Sequence, residues 1–421
     1  MYQKTVLGNG LRIITSPMPH TRSVCLSIFI GAGSRYEASE EAGISHFIEH
    51  LCFKGTERRQ APRELFEAIE GVGGILNGGT DKEMTLYWSK VARPHFLISL
   101  DLLTDMLRHS RFDPVDIEKE KGVIIDELND AMDHPDDRVS VLIDEVLWPG
   151  EIPQGAGMGS KETVKNITRP MVSGCLSHQY VPVNTVVSVA GDISHEEVVS
   201  SLGEALGDWH GGEPKPCCHA DDSQDRPRLR LERRDIEQAH LCLGVRGLAI
   251  DHPDRFTLDL VSTILGEGMS SRLFQEIREN RGLAYDIHSY VNHFLDSGSL
   301  IIYTGVAPRV IDDAIEAILE ELRRLRDDGV PESELVKAKE MVKGRLLLRM
   351  EDTRSVAGWV GAQELLSGKV RTVDEAVSII DSITAPDING VARELLITEK
   401  LNLAVVGPLS DEMGLERLLR I

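Results

Sequence analysis

Aromatic residues make up only 5% of this 421-residue chain, so its cores must be packed mainly from aliphatic side chains. Positive charge is short as well: 46 Lys and Arg stand against 68 Asp and Glu, for a formal net charge of −22. A surface of that sign repels phosphate backbones and anionic headgroups, which argues against nucleic acid or an anionic membrane as the main partner. No run approaches the ~20 apolar residues that a membrane span requires. The N-terminus shows no basic, apolar, small-residue leader of the secretory kind, although a cleaved transit peptide is compatible with it. Cysteine is sparse too, at Cys25, Cys52, Cys175, Cys217, Cys218 and Cys242, and a chain this long does not need disulfides to fold. Cys25 lies in a strand-like run and Cys52 adjoins a helix, so both read as buried thiols. Cys217 and Cys218, beside His219, lack the C-x-x-C spacing of zinc sites and read as linker residues.

What is present is a metal motif. His46-Phe47-Ile48-Glu49-His50 places two imidazoles four residues apart, on one side of a helix and about 5–6 Å apart at Cβ. They can chelate one ion, and Glu49 is left free to handle a proton. The order is the inverzincin one, reversed from H-E-x-x-H. Ile44, Phe47, Ile48 and Leu51 form the apolar stripe of the same helix, opposite His46, Glu49 and His50.

A catalytic zinc site usually has three protein ligands and one open position. Downstream, Asp116–Leu128 reads as a helix that opens after Pro114. Glu120 and Glu127 are two turns apart on one face, with Val123 and Ile124 expected beside them. Carboxylates on an apolar stripe are costly to bury unless paired or bound to a metal.

These residues carry a family resemblance. Glu127 follows His50 after 76 intervening residues, the separation seen in the pitrilysin-like metallopeptidases, and HFIEHLCFKGT resembles their processing-peptidase branch. The resemblance implies a metal-dependent endopeptidase in which His46, His50 and Glu127 bind the metal and Glu49 is the general base. It makes Glu120 a carboxylate that orients a ligand histidine. Ile75, Leu76, Asn77 and Gly78 resemble the edge strand on which such enzymes dock peptides by main-chain hydrogen bonds, with Gly78 where alanine is usual. Arg278 and Tyr285, seven apart, resemble a pair that donates to the substrate carbonyl. The implied cofactor is Zn2+, with Mn2+ compatible with the same ligands.

Gly211–Pro227 is rich in breakers and charge and divides the chain. The halves look like diverged copies: strands ending at Gly191 and Gly407 lie 216 residues apart, and the helix-opening Pro114 and Pro331 lie 217 apart. Shifted by 216, His46, Glu49 and His50 fall on Ser262, Leu265 and Gly266, so the second copy has lost the metal residues. The expected class is therefore α+β, with two similar domains that each pack a mostly antiparallel sheet with helices. The boundaries read as 1–212 for the metal-binding domain, 213–227 for the linker, and 228–421 for a substrate-contacting domain without metal. The expected substrates are unfolded peptides or presequences, held in an enclosed chamber by a bacterial, cytoplasmic homodimer. Two alternatives stay open: a non-catalytic scaffold subunit of the same family, and one half of a heterodimeric processing protease.

Overall fold

The computed structural model describes residues 2–150, 157–221 and 223–421. Two sheets organise the chain. The first contains β1 (Gln3–Val6), β2 (Arg12–Pro17), β3 (Ser23–Ile30), β4 (Ile75–Thr80), β5 (Thr85–Ala92) and β6 (Thr185–Gly191), in the order β1-β2-β6-β3-β5-β4. The second contains β7 (Arg228–Arg233), β8 (Ala239–Arg246), β9 (Ala284–His293), β10 (Gly298–Val306) and β11 (Asn402–Gly407), in the order β7-β11-β8-β10-β9. Apart from the extra β1 hairpin, the two orders superimpose strand for strand. Each sheet has one parallel pair, β2 with β6 and β7 with β11, and is otherwise antiparallel. The repeat read from glycine and proline spacing is a repeat of topology, and the class is α+β.

The compact units are not continuous stretches of chain, which corrects the boundaries 1–212 and 228–421. Unit one joins Met1–Leu128, Pro153–Cys218 and Leu347–Thr372; unit two joins Asn129–Ile152, His219–Leu346 and Val373–Ile421. The helix Thr353–Leu366 packs across β2, β3 and β6 of the first sheet, and Pro135–Leu147 packs across β7, β8 and β11 of the second. These helices occupy matching places in the two repeats, each contributed by the opposite half of the sequence. A linear reading cannot see this, because each helix is locally amphipathic whichever sheet it covers.

The cover helix explains why β3 departs from alternation. Seven of its eight residues are buried, because the motif-bearing side is packed against one face and Thr353–Leu366 against the other. Small residues set the spacing. Ala357 and Gly361 lie one turn apart, and a Cβ built on Gly361 would fall 2.2 Å from the Phe29 ring and 2.9 Å from Ser188 Cβ. Neither the ring nor the strand has room to retreat in a close-packed interior. We expect Gly361→Val to lower the unfolding free energy by about 1–3 kcal/mol or more through overpacking, measured by urea titration. An unchanged midpoint would show that the helix does not seat this closely.

Candidate metal centre

The motif helix runs Ile44–Cys52 and buries Ile44, Phe47, Ile48 and Leu51 in the first unit's core. Its start is fixed by a residue that sequence reading passed over. The Glu37 carboxylate accepts hydrogen bonds from Gly43 N at 2.7 Å and Ser45 N at 2.8 Å, so it satisfies helix-end donors that otherwise lack partners. Burial pushes the Glu37 carboxyl pKa up, against the pull of those two donors. Gly43 itself has φ +92°, and a Cβ there would fall 2.3 Å from Met158 O. The helix can begin at this place only with glycine.

On its free side His46 Nε2 and His50 Nε2 face each other at 3.2 Å. Glu127 Oε2 lies 3.4 Å from His50 Nε2 and 3.8 Å from His46 Nε2. Metal bonds of about 2.0–2.1 Å in tetrahedral geometry separate neighbouring ligand atoms by roughly 3.3 Å, so these spacings suit one small cation. Burial first, and then the charge of His50, pushes the His46 pKa down to about 4. Its imidazole is therefore neutral at physiological pH, the form that ligates. Nothing among the described residues pairs with His46 Nδ1, which is buried. Elsewhere among the described residues, no three His, Cys, Asp or Glu side chains gather in this way.

Glu120 sits behind His50, 1% exposed, with Oε1 at 2.9 Å from His50 Nδ1 and Oε2 at 2.6 Å from Lys54 Nζ. Burial works against the Glu120 charge, but the hydrogen bonds from His50 and Lys54 outweigh it and hold its pKa below the usual range. An ionised Glu120 obliges His50 Nδ1 to carry the proton, which leaves the Nε2 lone pair facing the other two donors. For His50, burial is likewise outweighed by the Glu120 hydrogen bond and the charges of Glu127, Glu120 and Glu49, so its pKa is raised.

The rest of the KGT string has physical reasons too. Gly55 takes φ +133° beside Gln60 O. Thr56 donates to Asp105 at 2.7 Å and accepts from the backbone N–H groups of Arg58 and Arg59.

The Glu120 and Glu127 helix runs Pro114–Asp133. Val123, expected beside them with Ile124, is instead 38% exposed, whereas Ile117, Glu120, Ile124 and Leu128 are buried. At about 100° per residue, the core side centres between Glu120 and Leu128, and Glu127 falls on its rim. This leaves Glu127 partly open towards the ligand atoms.

β4 is the edge of its sheet. Leu76 is buried in the core, while Ile75 and Asn77 are exposed. A Cβ on Gly78 would stand 3.1 Å from Glu49 Oε1 and 3.0 Å from the Phe53 ring. Burial raises the Glu49 pKa, with smaller opposing effects from Thr80 and His50.

Arg278 and Tyr285 belong to the second unit. Arg278 lies in the π-helical turn Phe274–Asn280 and donates to Tyr285 O at 2.8 Å, with its guanidinium 4.3 Å from the Tyr285 ring centre. They are brought to each other; their role towards a substrate carbonyl rests on the family resemblance. The second unit's counterpart of the motif helix is Arg255–Gly266, which packs along β9. There Ser262 Oγ and Ser289 Oγ are 2.9 Å apart, and a Cβ on Gly266 would fall 2.4 Å from Ser289 N. Where the first unit holds imidazoles, this one is filled by close backbone packing.

Fold and site together define a duplicated α+β scaffold with one inverzincin-type ligand set. The family described as "Insulinase (Peptidase family M16)" matches residues 12–151, and "Peptidase M16 inactive domain" matches residues 166–342. The chain is 37% identical to the zinc protease YmxG of Bacillus subtilis, over 97% of this chain and 98% of that one. It is 36% identical to a zinc protease of Mycobacterium leprae, over 99% and 94%. Among solved structures, a protease from Helicobacter pylori superimposes with TM-score 0.92 at 23% identity, over 97% and 99%. A chain of Complex III2 from Candida albicans superimposes with TM-score 0.85 at 20% identity over 100% of both, a likeness of fold. This chain belongs to peptidase family M16. Its relatives bear the name zinc protease, and the donor set described above fits that ion.

Glu120→Ala removes the acceptor that sets the His50 tautomer, and we expect zinc affinity to weaken about 10–100-fold. Competition against a chromophoric chelator measures it; affinity equal to wild type would show that His50 needs no orienting partner.

Proposed function

We propose that this protein is a zinc-dependent endopeptidase acting on unfolded peptides, with His46, His50 and Glu127 as ligands and Glu49 as general base. The observation that carries the reading is the convergence of three donor atoms at 3.2–3.8 Å beside the half-buried Glu49 carboxylate. Bound there, zinc supplies Lewis acidity, which polarises a carbonyl and makes water nucleophilic near neutral pH. The chain's own residues do the remainder. β4 offers its open edge to an extended peptide, which fits main-chain recognition of varied sequences. Glu49 takes a proton from the attacking water and returns it to the departing amine. Arg278 and Tyr285 are assigned to the substrate carbonyl.

A non-catalytic scaffold would need neither an intact ligand set nor a half-buried carboxylate next to it, and this chain has both. No helix among the described residues is long and apolar enough to cross a membrane. Because each chain carries both the ligand set and the Arg278–Tyr285 pair, we further propose a homodimer of self-sufficient chains as the working form, in the cytoplasm of a bacterium.

Glu49→Gln should keep its zinc and lose cleavage of a mixed peptide pool by about 10²-fold or more. Full activity in that variant would reject Glu49 as the base. His46→Ala and Glu127→Ala should lose zinc and activity together, and a chelator should silence the wild type reversibly. Chelator-insensitive cleavage, or none at all, would reject the zinc peptidase reading. Solution mass should be twice that of one chain; a monomer that cleaves at the full rate would remove the dimer.

A further inference from the structure

We infer that Thr80 is a positioning residue for Glu49, locking the base to the strand on which the peptide would dock. The inference rests on the peptidase reading and deepens it. Thr80 Oγ1 donates to Glu49 Oε2 at 2.7 Å. A threonine hydroxyl has one proton to give, and this geometry commits it to the carboxylate. The neighbouring hydroxyl of Thr85, paired with Thr80 across the hairpin, is the weaker acceptor: its Oγ1 lies 3.5 Å from Thr80 Oγ1, and it donates its own proton to Ala32 O at 3.0 Å.

The strand's period of two accounts for the arrangement. Leu76, Gly78 and Thr80 share the face turned to the motif helix. Leu76 fills the core, Gly78 leaves space at Glu49 Oε1, and Thr80 holds Oε2. The two oxygens are thereby distinguished. Oε2 is bound by Thr80, and Oε1 receives no hydrogen bond among the described residues, so Oε1 is the oxygen left to accept a proton. A glutamate has three side-chain torsions, and without the Thr80 bond the partly buried carboxylate would be free to turn away from the ligand atoms. With it, the base moves only as β4 moves.

The test compares purified, zinc-loaded wild type, Thr80→Val and Thr80→Ser in steady-state cleavage of one fluorogenic peptide. Val keeps the shape and loses the proton; Ser keeps the proton and loses the methyl group. Thr80→Val should lower kcat about 10- to 100-fold, the scale of a misplaced catalytic group, with KM within about threefold and zinc content unchanged. Thr80→Ser should stay within about threefold of wild type. In a Glu49→Gln background, Thr80→Val should change the residual rate no further, since the residue acts through Glu49. The inference is overturned if Thr80→Val keeps its kcat, if Ser and Val fall equally, or if the loss appears in KM or in zinc content. A wild type that shows no chelator-sensitive cleavage overturns the peptidase reading itself, a result the variants alone could not produce.

Discussion

Everything at this centre depends on holding two imidazole nitrogens 3.2 Å apart beside the Glu127 carboxylate. Left to themselves, two neutral rings at that distance would form a hydrogen bond, with one Nε2 carrying the proton. Glu120 settles this for His50 by accepting the Nδ1–H hydrogen bond, and the hydrogen bonds from His50 and Lys54 together hold the Glu120 pKa down against burial. The order Lys54, Glu120, His50 is thus a chain of charge and hydrogen bonding that ends in a prepared lone pair. It spans two helices, so the motif helix and the acidic helix must be seated to within a fraction of an ångström. The Glu37 cap and the glycine contact with Met158 O serve that seating at the N-terminal end, and the Thr56–Asp105 bond anchors the chain just past the other.

The duplicated fold shows what the metal centre requires by showing the same scaffold without it. In the first unit the gap between the motif helix and β4 holds the Glu49 carboxylate, while the imidazoles face Glu120 and Glu127. In the second, Arg255–Gly266 closes onto β9 until Gly266 lies against the Ser289 backbone, with Ser289 Oγ donating to Ser262 O and lying 2.9 Å from Ser262 Oγ. Loss of the ligands and closure of the gap belong together. An apolar or small-residue helix gains dispersion contacts by approaching the sheet, whereas a ligand-bearing helix must be kept away. The first unit maintains its gap with charged and hydrogen-bonded side chains that cannot be pushed into the core, and that arrangement carries a desolvation cost.

The local sequence made much of this legible. Spacing of four placed both histidines on one helix side, and the apolar stripe placed that helix on a core. Glycine and proline intervals exposed the repeat, and Pro114 marked where the acidic helix begins. Glu127 was reached through the family resemblance of its separation from His50, and the Val123 placement shows why periodicity alone was insufficient. A seven-residue interval leaves the two glutamates about 20° apart around the helix, yet the core boundary runs through that interval. The residues that sequence reading missed share one property. Glu37, Lys54 in its pairing with Glu120, and Thr80 act on partners that are distant in the chain, as do the cover helices exchanged between repeats. No local pattern announces a contact whose other half is elsewhere.

Exposure around the ligand set is graded, and the gradient has a chemical consequence. The side chains of His46 and His50 are 16% and 18% exposed, whereas that of Glu127 is 44% exposed. The two rings are wedged by packing and by Glu120, so they form the rigid part of the site. Glu127 comes from the rim of its helix and has only its own torsions to hold it. A metal held here would have a preformed pair of nitrogens on its buried side and the Glu127 carboxylate on its solvent side. The fixed donors thus lie towards the core and the adjustable one towards solvent. Glu49 and the β4 edge border that same side. A site built in the reverse order, with rigid donors at the mouth, would offer the same donor atoms and leave the adjustable carboxylate enclosed by the core.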